Sequence, residues 1–178
     1  MSAPKTIYVV DIIGQVVSAS ATSLGVPIHY EYGPIEEIVH KLVQMSKAPR
    51  AENPKYPLVA VITDIREECG RSEQIYCDAT LRLLVVNNTK QHAWAEDRTT
   101  HNFKAVIHPI WEELQNQLRK SHKFDIEHET MLSYTKYDRY NWGRSQSFVD
   151  LGQGSADYID ATDITITLPV KAYRCYHK

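Results

Sequence analysis

The sequence lacks the long apolar runs and the basic excess that identify several classes of protein. No stretch approaches the roughly 18 consecutive apolar residues by which a membrane-spanning helix is recognised. Lys and Arg number 20 against 22 Asp and Glu, which gives a net charge of −2. Proteins that bind nucleic acid electrostatically need clustered Lys and Arg for their phosphate contacts. The charge therefore argues against that class.

Short motifs of the common enzyme classes are also missing. The chain contains no GxSxG, P-loop, GxGxxG or HExxH sequence. Its three cysteines, Cys69, Cys77 and Cys175, form no CxxC pair, which predicts reduced thiols in a cytosolic setting. Asp11 interrupts the N-terminal apolar run, and no clean small-residue cleavage site follows, so we expect no signal peptide.

What is present suits one globular domain, residues 1–178, in which 43% of the residues are hydrophobic. The β-branched residues of 6–17 predict a strand, and the extended segment 26–32 follows it, so we expect an N-terminal hairpin or paired extensions. Residues 33–46 carry an apolar stripe that predicts a helix. Residues 101–121 predict a second helix.

Strand signals occupy much of the remaining chain. Residues 58–65 are nearly all apolar and predict a buried strand, a polar turn is expected at 66–73, and alternation over 74–87 predicts an antiparallel neighbour. Pro169 demotes the last strand, 163–173, to an edge strand or a bulge. An antiparallel sheet with the two helices packed on one face, an α+β domain, is the economical solution.

The predicted helix 101–121 raises the question of a metal site. His101, His108 and Glu112 recur at helical spacing on the face opposite the apolar stripe. A zinc site needs a further ligand and supporting hydrogen bonds, and HxxxE is frequent by chance. A solvated or subunit-contact face is the simpler interpretation. Pro109 predicts a kink, or a short helix joined to a longer one.

Acidic residues in apolar runs offer another possible metal site. Asp11 and Asp64, together with Glu67, have the oxygen ligands that a magnesium-dependent nuclease uses. No (D/E)xK set accompanies them. The alternatives are that Asp64 caps a turn through its side chain and that Asp11 lies on the wet side of an edge strand. Nothing marks a histidine as the base of Cys69, which favours an unreactive thiol.

The segment 122–160 is the least ordinary part of the chain. Segments of this length without an evident element are uncommon in compact domains and are usually functional. Aromatic residues with nearby arginines have the composition of protein–protein hot spots, while a private hairpin over 133–140 or local disorder are alternatives. Its acidic residues argue against stacking on single-stranded nucleic acid. The predicted contact residues are Tyr134, Tyr137, Arg139, Tyr140, Trp142 and Phe148, with His108 and Glu112 on the helix.

The order of elements and several local sequences resemble the tail-terminator or tail-completion proteins of tailed bacteriophages, especially those of Bacteroidetes phages. The sequences that carry the resemblance are VVDIIGQVVSA, YEYGPIEEIVHKL, YPLVAVITDI, FKAVIHPIWEELQNQL, YDRYNWG and DATDITITL. Together they span nearly the whole chain. None of them is a catalytic signature.

This resemblance implies a non-enzymatic virion protein of the neck or tail, assembled in the cytoplasm of the host bacterium. Such proteins form rings of six or twelve copies that contact adjacent neck, portal-proximal or tail rings. Genome DNA passes through the lumen without specific binding, and neither a cofactor nor a membrane is involved. A monomeric adaptor that binds through the aromatic loop stays open, as does a metal-dependent enzyme acting on nucleic acid through Asp11, Asp64, His108 and Glu112.

Overall fold

A five-stranded sheet with helices on both faces organises the chain. The computed structural model describes residues 8–47, 55–69, 76–90, 92–126, 132–142 and 157–171. The elements are α1 (Val9–Leu24), β1 (His29–Gly33), α2 (Ile35–Lys47), β2 (Leu58–Cys69), β3 (Tyr76–Asn88), α3 (Ala95–Arg98), a π-helix (Thr99–Ile107), α4 (His108–Lys120), β4 (Tyr134–Arg139) and β5 (Ile159–Lys171). The strands lie in the order β1-β2-β3-β5-β4. Only β1–β2 is parallel among these pairs, so the predicted α+β class is confirmed.

The two predicted helices, 33–46 and 101–121, lie on opposite faces of the sheet and not on one. The helices α1 and α4 share one core with the sheet. The predicted helix at 33–46 is present as α2, and it packs on the opposite face. Alternate strand residues supply the two cores: β3 gives Leu81, Leu83 and Val85 to the first and Leu84 and Val86 to the second. No helix in the described ranges is long and apolar enough to cross a membrane.

The strand predicted over 6–17 is wrong, because α1 begins at Val9. Strand propensity spans only about 1 kcal/mol and depends strongly on context, so packing against α4 and the sheet overrides it. The apolar residues also follow a helical period that the β-branched composition obscures. The buried residues of α1 are Val9, Val10, Ile12, Ile13, Val16, Val17 and Ser20.

The predicted N-terminal hairpin is wrong as well, since β1 pairs in parallel with β2. A close approach at Gly14 fixes β1 against α1. A Cβ atom at Gly14 would lie 3.0 Å from Cε1 of Tyr30, and the Tyr30 hydroxyl donates a hydrogen bond of 2.7 Å to the carbonyl of Val10. Burial, together with the charge of Asp11, raises the pKa of the Tyr30 phenol.

The predicted helix at 101–121 is part of a longer helical segment that begins at Ala95. The π-helix ends at Ile107, and Pro109 lies in the first turn of α4. Proline has no N–H to donate to the carbonyl four residues earlier. The break predicted at Pro109 is therefore present as a change of helix type.

The antiparallel pairing predicted for 58–65 and 74–87 is confirmed by β2 and β3. However, β2 continues to Cys69, so the polar turn predicted from residue 66 begins too early. Cys77 is disulfide-bonded, and the prediction of reduced thiols is wrong for this residue. The register places Cys69 opposite Cys77, a proximity that their spacing in the sequence does not reveal.

Pro169 does not make β5 an edge strand, because β5 lies between β3 and β4. The carbonyl of Pro169 accepts a hydrogen bond of 2.8 Å from the N–H of Asp125. A strand residue directs its nitrogen and its carbonyl to the same side, so the proline nitrogen also points away from β3. The β3–β5 ladder therefore loses no hydrogen bond at Pro169.

Candidate functional site

Several of the predicted contact residues lie along one edge of the sheet. Tyr134, Tyr137 and Arg139 belong to β4, and Tyr140 follows it. β4 is the last strand of the sheet, and within the described ranges no further strand pairs with its outer side. The three tyrosines are 40%, 57% and 44% exposed in chain order. Aromatic surface therefore flanks an open strand edge.

Backbone groups of β4 point alternately toward β5 and toward the open edge. On its β4 side, β5 accepts hydrogen bonds at the carbonyls of Ile159 and Pro169. Alternate β5 residues between them share that direction, so their register partners on β4 bond to β5. These partners are Thr135, Tyr137 and Arg139. The outward N–H and C=O groups accordingly belong to Tyr134, Lys136 and Asp138.

Two other predicted contact residues have different environments. Trp142 is 8% exposed and packs in the core beneath α2, so its prediction as a contact residue is wrong. Trp142 lies three residues after the end of β4, and its N–H donates a hydrogen bond of 2.9 Å to the carbonyl of Ile159. This bond holds the backbone of Trp142 against β5, with the indole packed in the core. Phe148 lies outside the described residues.

His108, predicted on the outer helix face, lies against β4 and is only partly exposed. Its Nε2 is 3.1 Å from Oδ2 of Asp138 and 3.0 Å from Nζ of Lys136. One ring nitrogen cannot donate to a carboxylate and accept from an ammonium group at once, so these two bonds alternate. His101 and Glu112 are exposed. The helix thus contacts β4 through His108 alone among these three.

The acids considered for a metal site lie beside different residues. Asp11 is in the first turn of α1 and its charge acts on Tyr30. Asp64 is on β2 and its charge acts on Arg82, while Glu67 lies further along that strand. In the part of the chain that the structure describes, no group of three or more His, Cys, Asp or Glu is placed to hold a metal.

A buried carboxylate on β5 holds Arg139 in position. Asp163 is 4% exposed. It accepts hydrogen bonds from Nε and Nη2 of Arg82 at 2.9 and 2.6 Å, and from Nε of Arg139 at 3.1 Å. The hydrogen bond to Asp163 raises the pKa of Arg82. The Arg139 guanidinium also lies 5.4 Å from the centroid of the Tyr137 ring, so contacts within the chain orient both of these predicted contact residues.

The carboxyl of Asp138 makes the stability of the fold depend on pH. Burial by itself raises the pKa of its carboxyl, but the hydrogen bond from Thr162 and the charges of Lys136 and His108 outweigh burial and lower it. A carboxyl with a lowered pKa stabilises the fold above its unfolded pKa, about 3.9. That stabilisation is lost as the pH falls through the lower, folded pKa.

We therefore expect the free energy of unfolding of the wild type to fall below about pH 4 partly because of Asp138. Asp138→Asn should show a smaller fall over the same range, and Thr162→Val an intermediate one, because it removes one hydrogen bond to the carboxylate. Urea unfolding at pH 6 and at pH 3 measures the difference. Equal falls in the wild type and Asp138→Asn would contradict the assignment.

Sequence analysis missed a buried polar network at the start of the helical segment. Asp160, 0% exposed, accepts hydrogen bonds from Nη1 of Arg98 at 3.2 Å, from Nδ2 of Asn102 at 3.0 Å and from the N–H of Asn141 at 3.0 Å. Arg98 also donates to the Asn141 side chain at 2.8 Å. The network joins the helix, β5 and the end of β4. Arg98 and Asp160 both lie outside the predicted helices and strands, where no periodicity indicated burial.

Two open cavities flank Arg98. The larger, of about 680 Å³, is lined by polar side chains of mixed charge, including Lys90, Asp97 and His101. The smaller, of about 470 Å³, includes Trp94, whose side chain is 81% exposed. Asp160 already forms an ion pair with Arg98, so the carboxylate of Asp160 balances the charge of the guanidinium beside these cavities.

No protein-family model matches the chain, and no curated protein matches it.

Proposed function

We propose that the chain is a non-enzymatic structural subunit that assembles with copies of itself into a ring at the head–tail neck or the tail of a bacteriophage. The open edge of β4 carries this proposal. Its outward backbone groups can pair with a strand of another chain. Exposed Tyr134, Tyr137 and Tyr140 supply the aromatic surface typical of interface hot spots.

The phage location rests on the resemblance of the local sequences, and the charge of the chain supports it. A ring through which DNA slides must not hold phosphates tightly, and affinity for phosphate grows with the number of Lys and Arg contacts. A net charge of −2 suits that requirement. Neighbouring neck or tail rings are the expected partners.

The geometry favours this function over the metal-dependent enzyme. An enzyme of that kind needs Asp11, Asp64 and His108 to converge on one ion. Asp11 acts on Tyr30, Asp64 acts on Arg82, and His108 contacts Asp138 at 3.1 Å. These acids and His108 therefore lie in three separate places, whereas Tyr134, Tyr137 and Tyr140 all lie along the one open edge of the sheet.

Native mass spectrometry of the wild type is expected to show a closed ring, with an open lumen in electron micrographs. Tyr137→Ala should weaken association by about tenfold or more, since truncating a hot-spot aromatic costs at least about 1–2 kcal/mol. The same change should alter the free energy of unfolding by less than about 1 kcal/mol, because Tyr137 is exposed. Tyr137→Phe, which keeps the ring, should weaken association less.

Two results would contradict the proposal. One is a monomer over a wide concentration range, both alone and in the presence of isolated phage necks and tails. The other is a labelled antibody against the chain that decorates neither the neck nor the tail of virions carrying it.

A further inference from the structure

Among the described residues, the sheet has a second open edge, on β1. The His29 N–H donates a hydrogen bond of 2.9 Å to the carbonyl of Pro57. Pro57 is the residue before Leu58, the register partner of His29. In a parallel pair this bond identifies a residue whose backbone groups face the neighbouring strand. His29, Glu31 and Gly33 therefore face β2, and Tyr30 and Tyr32 direct their N–H and C=O groups away from the sheet.

We propose that β4 of one copy pairs with β1 of the next, so that one sheet continues from subunit to subunit around the ring. This inference rests on the proposed function and specifies its contact. Pairing β4 with β4 would be isologous and would stop at two copies, whereas a ring requires two different surfaces on each copy. The two open strands have similar lengths, five and six residues.

The charges at the two edges are complementary. Lys41 on α2 is 3.1 Å from Glu31 and 3.2 Å from Glu37, so one cation faces two carboxylates beside β1. Asp11, whose charge acts on Tyr30, adds exposed negative charge there. On β4 the cations exceed the anions, because Lys136 and Arg139 accompany Asp138. Opposite charge favours β4–β1 contact, and like charge disfavours pairing of identical edges.

Each copy also presents exposed tyrosine at both edges. Tyr32 is 47% exposed on β1, and Tyr134 is 40% exposed on β4. Tyr30, two residues before Tyr32, bonds to α1, and Tyr134 packs on Trp111 of α4, so Tyr32 and Tyr134 lie on the same face of the sheet. Aromatic pairs across neighbouring strands each contribute roughly 0.2–1 kcal/mol. Strand hydrogen bonds would give the contact its affinity, and the alternating side chains would set its register.

Proline substitutions test the two edges separately. Lys136→Pro removes an outward N–H of β4, and Tyr32→Pro removes an outward N–H of β1. Neither removes a hydrogen bond inside the sheet. Each variant should be monomeric at concentrations where the wild type forms rings. Lys136→Ala and Tyr32→Ala, which keep the N–H, should assemble more tightly than the matching proline variants.

Mixing the two proline variants gives the decisive result. Lys136→Pro retains an intact β1 edge and Tyr32→Pro retains an intact β4 edge, so native mass spectrometry should show a one-to-one heterodimer that grows no further. If Tyr32→Pro alone forms dimers and mixing adds no heterodimer, the contact is β4–β4; this overturns the inference while self-association stands. Wild-type rings in both proline variants would overturn edge pairing altogether.

A second pair of variants keeps the test valid if either proline prevents folding, as judged by circular dichroism. Lys136→Glu and Asp11→Lys place like charges at the proposed contact on the face that carries α1 and α4, and each should weaken assembly severalfold. A one-to-one mixture should recover part of the loss, because the altered β4 edge of one then meets the altered β1 edge of the other. No recovery in the mixture would count against β4–β1 pairing.

Discussion

Replacing Arg98 with alanine is expected to lower the free energy of unfolding by about 3–5 kcal/mol, the loss that follows removal of one partner of a buried ion pair. Arg98 is 5% exposed and Asp160 is 0% exposed, and their charged atoms lie 3.2 Å apart. Without the guanidinium, the carboxylate keeps its hydrogen bonds from Asn102 and from the N–H of Asn141 but has no cation within the network.

Urea unfolding of Arg98→Ala, Asp160→Asn and the double variant measures this pair. Once the carboxylate is neutral, losing the cation should cost less, so the double variant should be more stable than the sum of the single losses indicates. Lys104→Ala, an exposed cation on the same helical segment, should change the free energy by no more than about 0.5 kcal/mol. A loss below about 1 kcal/mol for Arg98→Ala would show that the network does not stabilise the fold.

The sequence correctly predicted those helices and strands for which the spacing of apolar residues and the residue types indicated the same kind of element. The apolar stripe of 33–46 and the alternation of 74–87 indicated α2 and β3, because period and element type agree there. The apolar residues of α1 are mostly β-branched, so composition favoured a strand while spacing fitted a helix. Tertiary packing decided between them, and packing involves partners far away in the chain.

The candidate site was predictable in composition but not in geometry. The alternation over 133–140 raised a hairpin as one interpretation, and β4 occupies that segment. No pattern in the sequence separates exposed Tyr137 from buried Trp142, because both are aromatic residues in a charged segment. The strand order is likewise non-local: β5 pairs with β3 across a long separation in sequence. Consequently Asp160 and Asp163 carry no local sign of the arginines that contact them.

Trp111 connects the stability of the fold to the proposed contact. Its side chain is 3% exposed, and its ring meets the ring of Tyr134 edge to face, with centroids 5.1 Å apart. Trp111→Ala should lower the free energy of unfolding by about 3–5 kcal/mol, the usual cost of truncating a buried tryptophan. It should also weaken ring assembly, because the Tyr134 ring loses the aromatic contact that holds it beside the open edge of β4.

Trp111→Phe separates the apolar part of this effect from the polar part. Within the described residues, Nε1 of Trp111 is buried without a hydrogen-bond partner, and such an unmet donor costs about 1–3 kcal/mol. Phenylalanine removes the donor and keeps an aromatic ring, so its loss of packing is partly offset and its net cost should stay below about 1.5 kcal/mol. Chemical denaturation of both variants, with native mass spectrometry of each, tests this directly. If Trp111→Phe costs as much as Trp111→Ala, the indole N–H has a partner that stabilises the fold. If Trp111→Ala folds less stably yet assembles like the wild type, the position of Tyr134 does not matter for the contact.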